Sequence, residues 1–186
     1  MTIIVIQFIT LDGIISDPDG SGGTPGGGWA FRHGPEAVAG DKFRLGALME
    51  TGTLLLGRRT WQLFAGLWPS RSDPFSTAMN RIPKAVASRA RLDLGAWSNS
   101  TPLAGDVVGE LPRLRERGDV IVAGSVDLVH ALVEKDLVDE YRLLVFPTVL
   151  GAGRRLFGPG TPPGDLRLVS VEQSGAAVLM CHERHR

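Results

Sequence analysis

Short apolar runs, each stopped by glycine, proline or a basic residue, divide the chain into strands of the kind that lie inside a sheet. Thr2 to Thr10 (TIIVIQFIT) is β-branched and apolar nearly throughout, which predicts a central strand closed by Leu11, Asp12 and Gly13. Thr53 to Leu56 predicts a second, broken by Gly57, and Lys84 to Ala87 a short third ending in Ser88 and Arg89. Trp97 to Leu103 reads as a further short strand or an extended connection. Val120 to Ala123 is the continuous apolar run that a strand covered on both faces needs, and Gly124 and Ser125 end it. Asp139 to Phe146 predicts another strand, which Pro147 terminates. Leu166 to Glu172 and Ala176 to Glu183, joined around Ser174 and Gly175, predict a closing antiparallel hairpin, with the last three residues frayed.

Between these runs the apolar period changes to that of helices. Pro35 to Thr51 predicts a helix with Pro35 in its first turn and Val38, Leu45, Leu48 and Met49 along one stripe. Asp41 falls within that stripe. Further helices are predicted from Arg58 through Trp61, Leu63, Phe64 and Leu67, from the Ser72-Asp73-Pro74 start to Ile82, and from Asp106 to Arg117 with Pro112 as an interruption. One more runs from Ser125 to Leu137. Alternating strands and helices imply an α/β fold: a mostly parallel central sheet flanked by helices, with an antiparallel C-terminal hairpin. Ser16 to Gly28 (SDPDGSGGTPGGG) fits neither period and predicts a mobile flap within one domain, with Trp29 either anchoring its far end or serving as a core aromatic.

Composition narrows the classes. The 186 residues fit one domain, and 43% hydrophobic with 22% charged residues is ordinary for a globular protein. Twenty basic and 20 acidic side chains cancel, so no overall field draws in nucleic acid or an anionic membrane. The single cysteine, Cys181, excludes an intramolecular disulfide and any cysteine-rich metal site. No leader and no membrane-length apolar run is found, so a cytoplasmic location is expected.

Candidate chemistry gathers at strand ends. In a parallel sheet the carboxyl ends of strands share one edge, where ligands bind. Gly57, Arg58 and Arg59, then Ser88 and Arg89, then Gly124 and Ser125 would converge there. Strand-to-helix turns leave helical N–H groups unpaired, and arginine forks suit phosphate. Asp41, on an apolar stripe, would have its pKa raised by burial and so be kept ready to supply a proton, unless it serves a structural ion pair or the helix is less regular. Gly151 and Gly153 flank a bend before a second arginine pair, Arg154 and Arg155. The four histidines, His33, His130, His182 and His185, lack the spacing of a metal site, and neither a nucleophile elbow nor a Walker-type loop occurs.

LLLGRRTWQLF (Leu54 to Phe64), PKAVASR (Pro83 to Arg89) and the stretch from Val120 to Phe157 resemble the dihydrofolate-reductase-like proteins, in particular bacterial members related to the reductase domain of riboflavin biosynthesis. The resemblance covers nearly the whole chain. It implies NADPH across the strand ends and hydride transfer to a C=N or C=O carbon of a pteridine- or pyrimidine-like small molecule. It also implies positions. Gly57, Arg58, Arg59 and Thr60 would lie under the 2′-phosphate and pyrophosphate, Ser88 and Arg89 on the adenosine side, and Gly124, Ser125 and Val126 along the pyrophosphate. Ile14 and the glycine loop would border the nicotinamide, Trp29 would face the substrate, and Asp41 would hold the place of the family's acid. The chain departs from true dihydrofolate reductases in its longer glycine loop, in Gly28-Trp29 where Pro-Trp is expected, and in having only Gly124 before Ser125. No amino-terminal deaminase portion is found, so a part in riboflavin synthesis would require the reductase to act as a separate polypeptide. The rival readings are a non-catalytic nucleotide-binding or sensor protein on the same fold, and a reductase that uses flavin. The apolar closing hairpin offers a surface on which two subunits could form a homodimer.

Overall fold

The computed structural model describes residues 1–103 and 105–185, and every apolar run read above as a strand contributes one there. β1 (Ile3–Thr10), β2 (Thr53–Gly57), β3 (Lys84–Ala87), β4 (Ser100–Pro102), β5 (Val120–Ala123), β6 (Glu140–Phe146), β7 (Leu166–Ser174) and β8 (Ala177–Arg184) form one sheet in the order β4-β3-β2-β5-β1-β6-β8-β7. The first six strands are parallel. The last two form the antiparallel hairpin, with β8 inserted between β6 and β7.

β2 and β5 are buried at every residue because helices cover both faces. On one face α4 (Val107–Arg115) and α5 (Val126–Glu134) lay Leu111, Leu114, Leu128 and Leu132 against Val5, Val120 and Val122. On the other, α1 (Leu48–Thr51), α2 (Arg58–Ala65) and α3 (Pro74–Arg81) bring Met49, Trp61 and Met79 onto Ile4, Leu54 and Ile121. A third cluster lies toward β6 and β8, where Trp29 packs with Phe146, Leu179 and Cys181. Among the described residues no helix is long and apolar enough to cross a membrane.

The long helix expected from Pro35 to Thr51 does not form. Only a 3-10 turn at Pro35–Ala37 and the four-residue α1 are helical. Gly40, Arg44 and Gly46 take φ of +73°, +52° and +46°, left-handed conformations through which a right-handed helix cannot run. Asp41 therefore stands in a loop and not on an apolar helix face. The end of the chain also differs from expectation: Arg184 closes β8 with its N–H on the Asp139 carbonyl at 2.8 Å, and His185 donates to Asp165 at 3.3 Å. Arg186 lies outside the described residues.

Lys84, a buried cation in β3, holds the β3–β4 side of the sheet to α3. It is 1% exposed. Its Nζ donates to the carbonyls of Asn80 (2.7 Å) and Ser98 (3.0 Å) and lies 4.3 Å from the centroid of the Trp97 ring. Trp97 in turn donates Nε1–H to Asn80 Oδ1 at 2.8 Å. Carbonyls and a ring face only partly replace water around the ammonium, and among the described residues no carboxylate pairs with it. Burial therefore pushes its pKa from 10.5 down to about 8. Between these two values the unfolded chain binds the proton and the folded chain has released it, so this group's contribution to stability rises with pH. Denaturant titrations from pH 7 to 10 should accordingly show the unfolding free energy of wild type gaining on that of Lys84→Met above about pH 8; a pH-independent difference would contradict this account.

Candidate functional site

The site is built on two turns that share one space. β2 and β5 are neighbours in the sheet, so their carboxyl ends deliver two strand-to-helix turns side by side. A Cβ on Gly57 would stand 2.2 Å from Ser125 Oγ, and one on Gly124, at φ +59°, would stand 2.8 Å from Thr60 Oγ1. Each turn occupies the volume that a side chain on the other would require. The Gly124–Ser125 peptide is cis.

α2 and α5 begin at these turns, and neither Gly57 nor Ser125 supplies a side-chain cap. α3, by contrast, is capped conventionally, Asp73 accepting from the Ser76 N–H at 3.0 Å. First-turn donors of two helices are thus left without a side-chain cap at one edge of the sheet. Arg58 and Arg59 are exposed there, and the pairing of Gly57 with Ala87 sets Ser88 and the exposed Arg89 beside them. Ser88 closes its own turn, donating to the Ala90 carbonyl at 2.7 Å. Among the described residues none of these three arginines is paired with a carboxylate. Unpaired guanidinium groups beside uncapped helix starts can hold an extended phosphate-bearing ligand. Arg154, to which the sequence reading gave no role, reaches the first turn of α5: it pairs with Asp127 at 2.6 Å and lies 3.2 Å from His130 Nδ1. Its signal was the arginine pair after Gly153, which only the chain's return to this edge makes meaningful.

The adjoining wall joins the loop after β1 to the loop after β6. Asp12 accepts hydrogen bonds from the Thr10 hydroxyl (2.6 Å) and the Gly151 N–H (2.8 Å). The Thr10 hydroxyl above all, helped by the Gly151 and Leu150 N–H groups, outweighs the effect of burial and brings the carboxyl pKa down to about 2. Ile15 N–H donates to the Arg154 carbonyl and Leu156 N–H to that of Gly13, both at 2.9 Å. Ile14 is fully buried beneath Gly153, whose Cβ, if present, would lie 2.7 Å from Ile14 Cγ2. Its side chain supports this wall from below.

The glycine-rich loop is folded around one carboxylate. Asp17 accepts from the N–H groups of Gly22 (2.7 Å) and Thr24 (2.9 Å) and from the Thr24 hydroxyl (2.7 Å). Arg32 ties the far end to the carbonyls of Gly26 and Gly27, both at 2.9 Å. The loop expected to form a flap thus carries hydrogen bonds of its own. Trp29 is fully buried, donates Nε1–H to the Ser16 carbonyl at 2.9 Å and meets Phe146 edge-on. It packs in the core while tying the start of the glycine-rich loop.

Asp41 is partly buried, and its two carboxylate oxygens accept the N–H groups of Leu45 (2.8 Å) and Gly46 (2.9 Å). The loop it closes carries Phe43, whose ring stacks on Phe8 of β1 with centroids 5.5 Å apart. Arg142 donates to the carbonyls of Phe43 and Arg44, and Arg44 pairs with Glu172 of β7. Both phenylalanines are only partly buried, so an aromatic wall stands at the β1 strand end. The sequence reading missed it, because Phe8 looked like any strand residue and Phe43 lay in a supposed helix. Among the described residues no group of three His, Cys, Asp or Glu is placed to hold a metal ion.

Comparison with known proteins bears on this arrangement. The chain is 25% identical over 193 residues to the uncharacterized Bacillus subtilis protein YwjB, covering 95% of this chain and 94% of that one. It is 25% identical over 144 residues to YyaP of the same organism, 73% and 76% of the two chains. Three solved structures share the fold. A Shewanella sp. PV-4 protein provisionally assigned to riboflavin biosynthesis superposes with a TM-score of 0.71 at 22% identity over the whole of both chains. A pyrimidine reductase-like protein of Corynebacterium diphtheriae gives 0.62 at 11% identity, over all of this chain and 92% of the other. RibD of Acinetobacter baumannii gives 0.65 at 18%, over all of this chain and 59% of that one. The dihydrofolate-reductase-like fold is therefore confirmed. The model of the RibD C-terminal domain matches residues 1–180, and the chain belongs to that family, which is related to reductase activity in riboflavin biosynthesis.

Proposed function

We propose that the chain is an NADPH-dependent reductase that transfers hydride to a C=N or C=O carbon of a pteridine- or pyrimidine-like small molecule. The observation that carries this reading is the pair of interlocked, uncapped turns at Gly57–Thr60 and Gly124–Val126, flanked by unpaired arginines. Bound NADPH would supply the hydride; the protein's part is position and charge. The two turns bring backbone donors close to the pyrophosphate, and Arg58, Arg59 and Arg89 supply cations for the 2′-phosphate. The Phe8–Phe43 wall gives a planar heterocycle a face to stack on. The C. diphtheriae protein of the same fold is described as pyrimidine reductase-like, which supports the same substrate class. Asp41 is the candidate proton source, and it also closes the loop that holds Phe43 in place.

Two measurements test this. Replacing both Arg58 and Arg59 with alanine should weaken NADPH binding in calorimetric titration by roughly ten- to a hundredfold, the scale of a lost charged hydrogen bond of about 1.5–3 kcal/mol. NADH, which has no 2′-phosphate, should lose far less; equal losses would refute the assignment. For Asp41→Asn, steady-state NADPH oxidation with pterins and pyrimidines should show kcat reduced on every substrate turned over and its pH dependence altered. Lower thermal stability with an unaltered pH profile would leave Asp41 as a loop cap alone. A wild type that binds NADPH but reduces no such substrate would point to a nucleotide-binding protein, and a yellow preparation to flavin.

A further inference from the structure

β1 is apolar throughout except at Gln7 and Thr10. Thr10 is satisfied, its hydroxyl donating to Asp12 and accepting the Ile14 N–H. Gln7 is not. The residue is 8% exposed, and its Nε2 has no hydrogen-bond partner among the described residues. A buried amide donor without a partner costs stability, and packing alone gives no reason to keep one where leucine or methionine would fill the same space.

The reason lies in where the strand places it. Ile6 pairs with Ala123 of β5, so Gln7 stands level with Gly124, where β5 leaves the sheet for the turn into α5. On its other side it pairs with Leu143 of β6. Alternation sets it on the face of Val5 and Ile9, which belong to the cluster beneath α5. That cluster also takes in Val129 of α5 and Ile15 and Leu156 of the adjoining wall, all of them apolar. Phe8, the next residue along, belongs to the opposite face, where its ring stacks on Phe43.

We propose that Gln7 is a cofactor-binding residue whose amide pairs with the carboxamide of the nicotinamide ring. The inference rests on the reading of this edge as an NADPH site. An amide answers an amide: each offers N–H donors and a carbonyl acceptor, so two hydrogen bonds form side by side between uncharged groups. A phosphate accepts only, and would leave the Gln7 carbonyl unmatched. The heterocycle to be reduced carries amide groups of its own, but its stacking wall is on the Phe8 side of the strand, whereas Gln7 is on the α5 side, level with the Gly124 turn. Holding the carboxamide fixes the rotation of the ring about its bond to the ribose, and so which face of the ring is turned toward Phe8 and Phe43.

Calorimetric titration of the full chain tests this, with the reduced 3-acetylpyridine analogue of NADPH as the probe. Its methyl ketone keeps the carbonyl of the carboxamide and lacks the N–H donors. Wild type is expected to bind NADPH more tightly than the analogue by roughly three- to tenfold, the scale of one uncharged hydrogen bond. Gln7→Met, close in volume, should lose most of that preference while keeping the preference for NADPH over NADH that Arg58 and Arg59 set. Without cofactor the same variant should melt a few degrees above wild type, because the unpartnered amide is gone. An unchanged ratio of the two affinities, or a variant less stable than wild type, would overturn the proposal. Weaker binding of a pterin or pyrimidine with the cofactor ratio intact would move the contact to the substrate and overturn it equally. A wild type that binds neither dinucleotide would remove the NADPH reading itself, and this contact with it.

Discussion

The exclusion of side-chain volume between Gly57 and Gly124 is the constraint on which the site depends. Because β2 and β5 pair directly, their outgoing turns must pass through the same space, and they do so only without a Cβ on either glycine. That close approach aligns the starts of α2 and α5 on one edge.

The rest of the edge is arranged around that pair of turns as a set of local locks. Asp12 binds the loop after β6 to the loop after β1, Asp17 folds the glycine-rich loop, and Asp41 closes the loop that carries Phe43. Each is a carboxylate accepting backbone N–H groups, which gives segments without regular structure a definite shape. Irregular chain beside the candidate site is thereby positioned without helices or strands of its own.

The sheet was legible in the sequence because a strand buried on both faces must be apolar throughout, and the run from Val120 to Ala123 admits few other readings. Gly57 and Gly124 stood out in the sequence as glycines ending strands, and the structure gives both a packing reason in the close approach of the two turns. The helix through Asp41 was misread because periodicity takes no account of handedness: Val38, Leu45 and Met49 keep helical spacing while Gly40 and Gly46 turn the backbone the wrong way between them. Trp29 was left between two readings, and the distant residues around it answer to both: Phe146 holds it in the core, and the Ser16 carbonyl ties it to the glycine-rich loop. Asp17's control of its loop was hidden because glycines without apolar neighbours suggest freedom, whereas the order comes from one acceptor shared among several donors.

The place of β8 has a consequence for the order in which the molecule can be assembled. It follows β7 in the chain yet lies between β7 and β6. A chain emerging residue by residue can pair its six parallel strands early, but β6 keeps a bare flank until residues 177–184 arrive. Leu179 and Cys181 complete the packing around Trp29, a residue made much earlier. The amino-terminal third thus waits on a strand made much later, and loss of that strand would open the layer beside the aromatic wall as well as shorten the sheet.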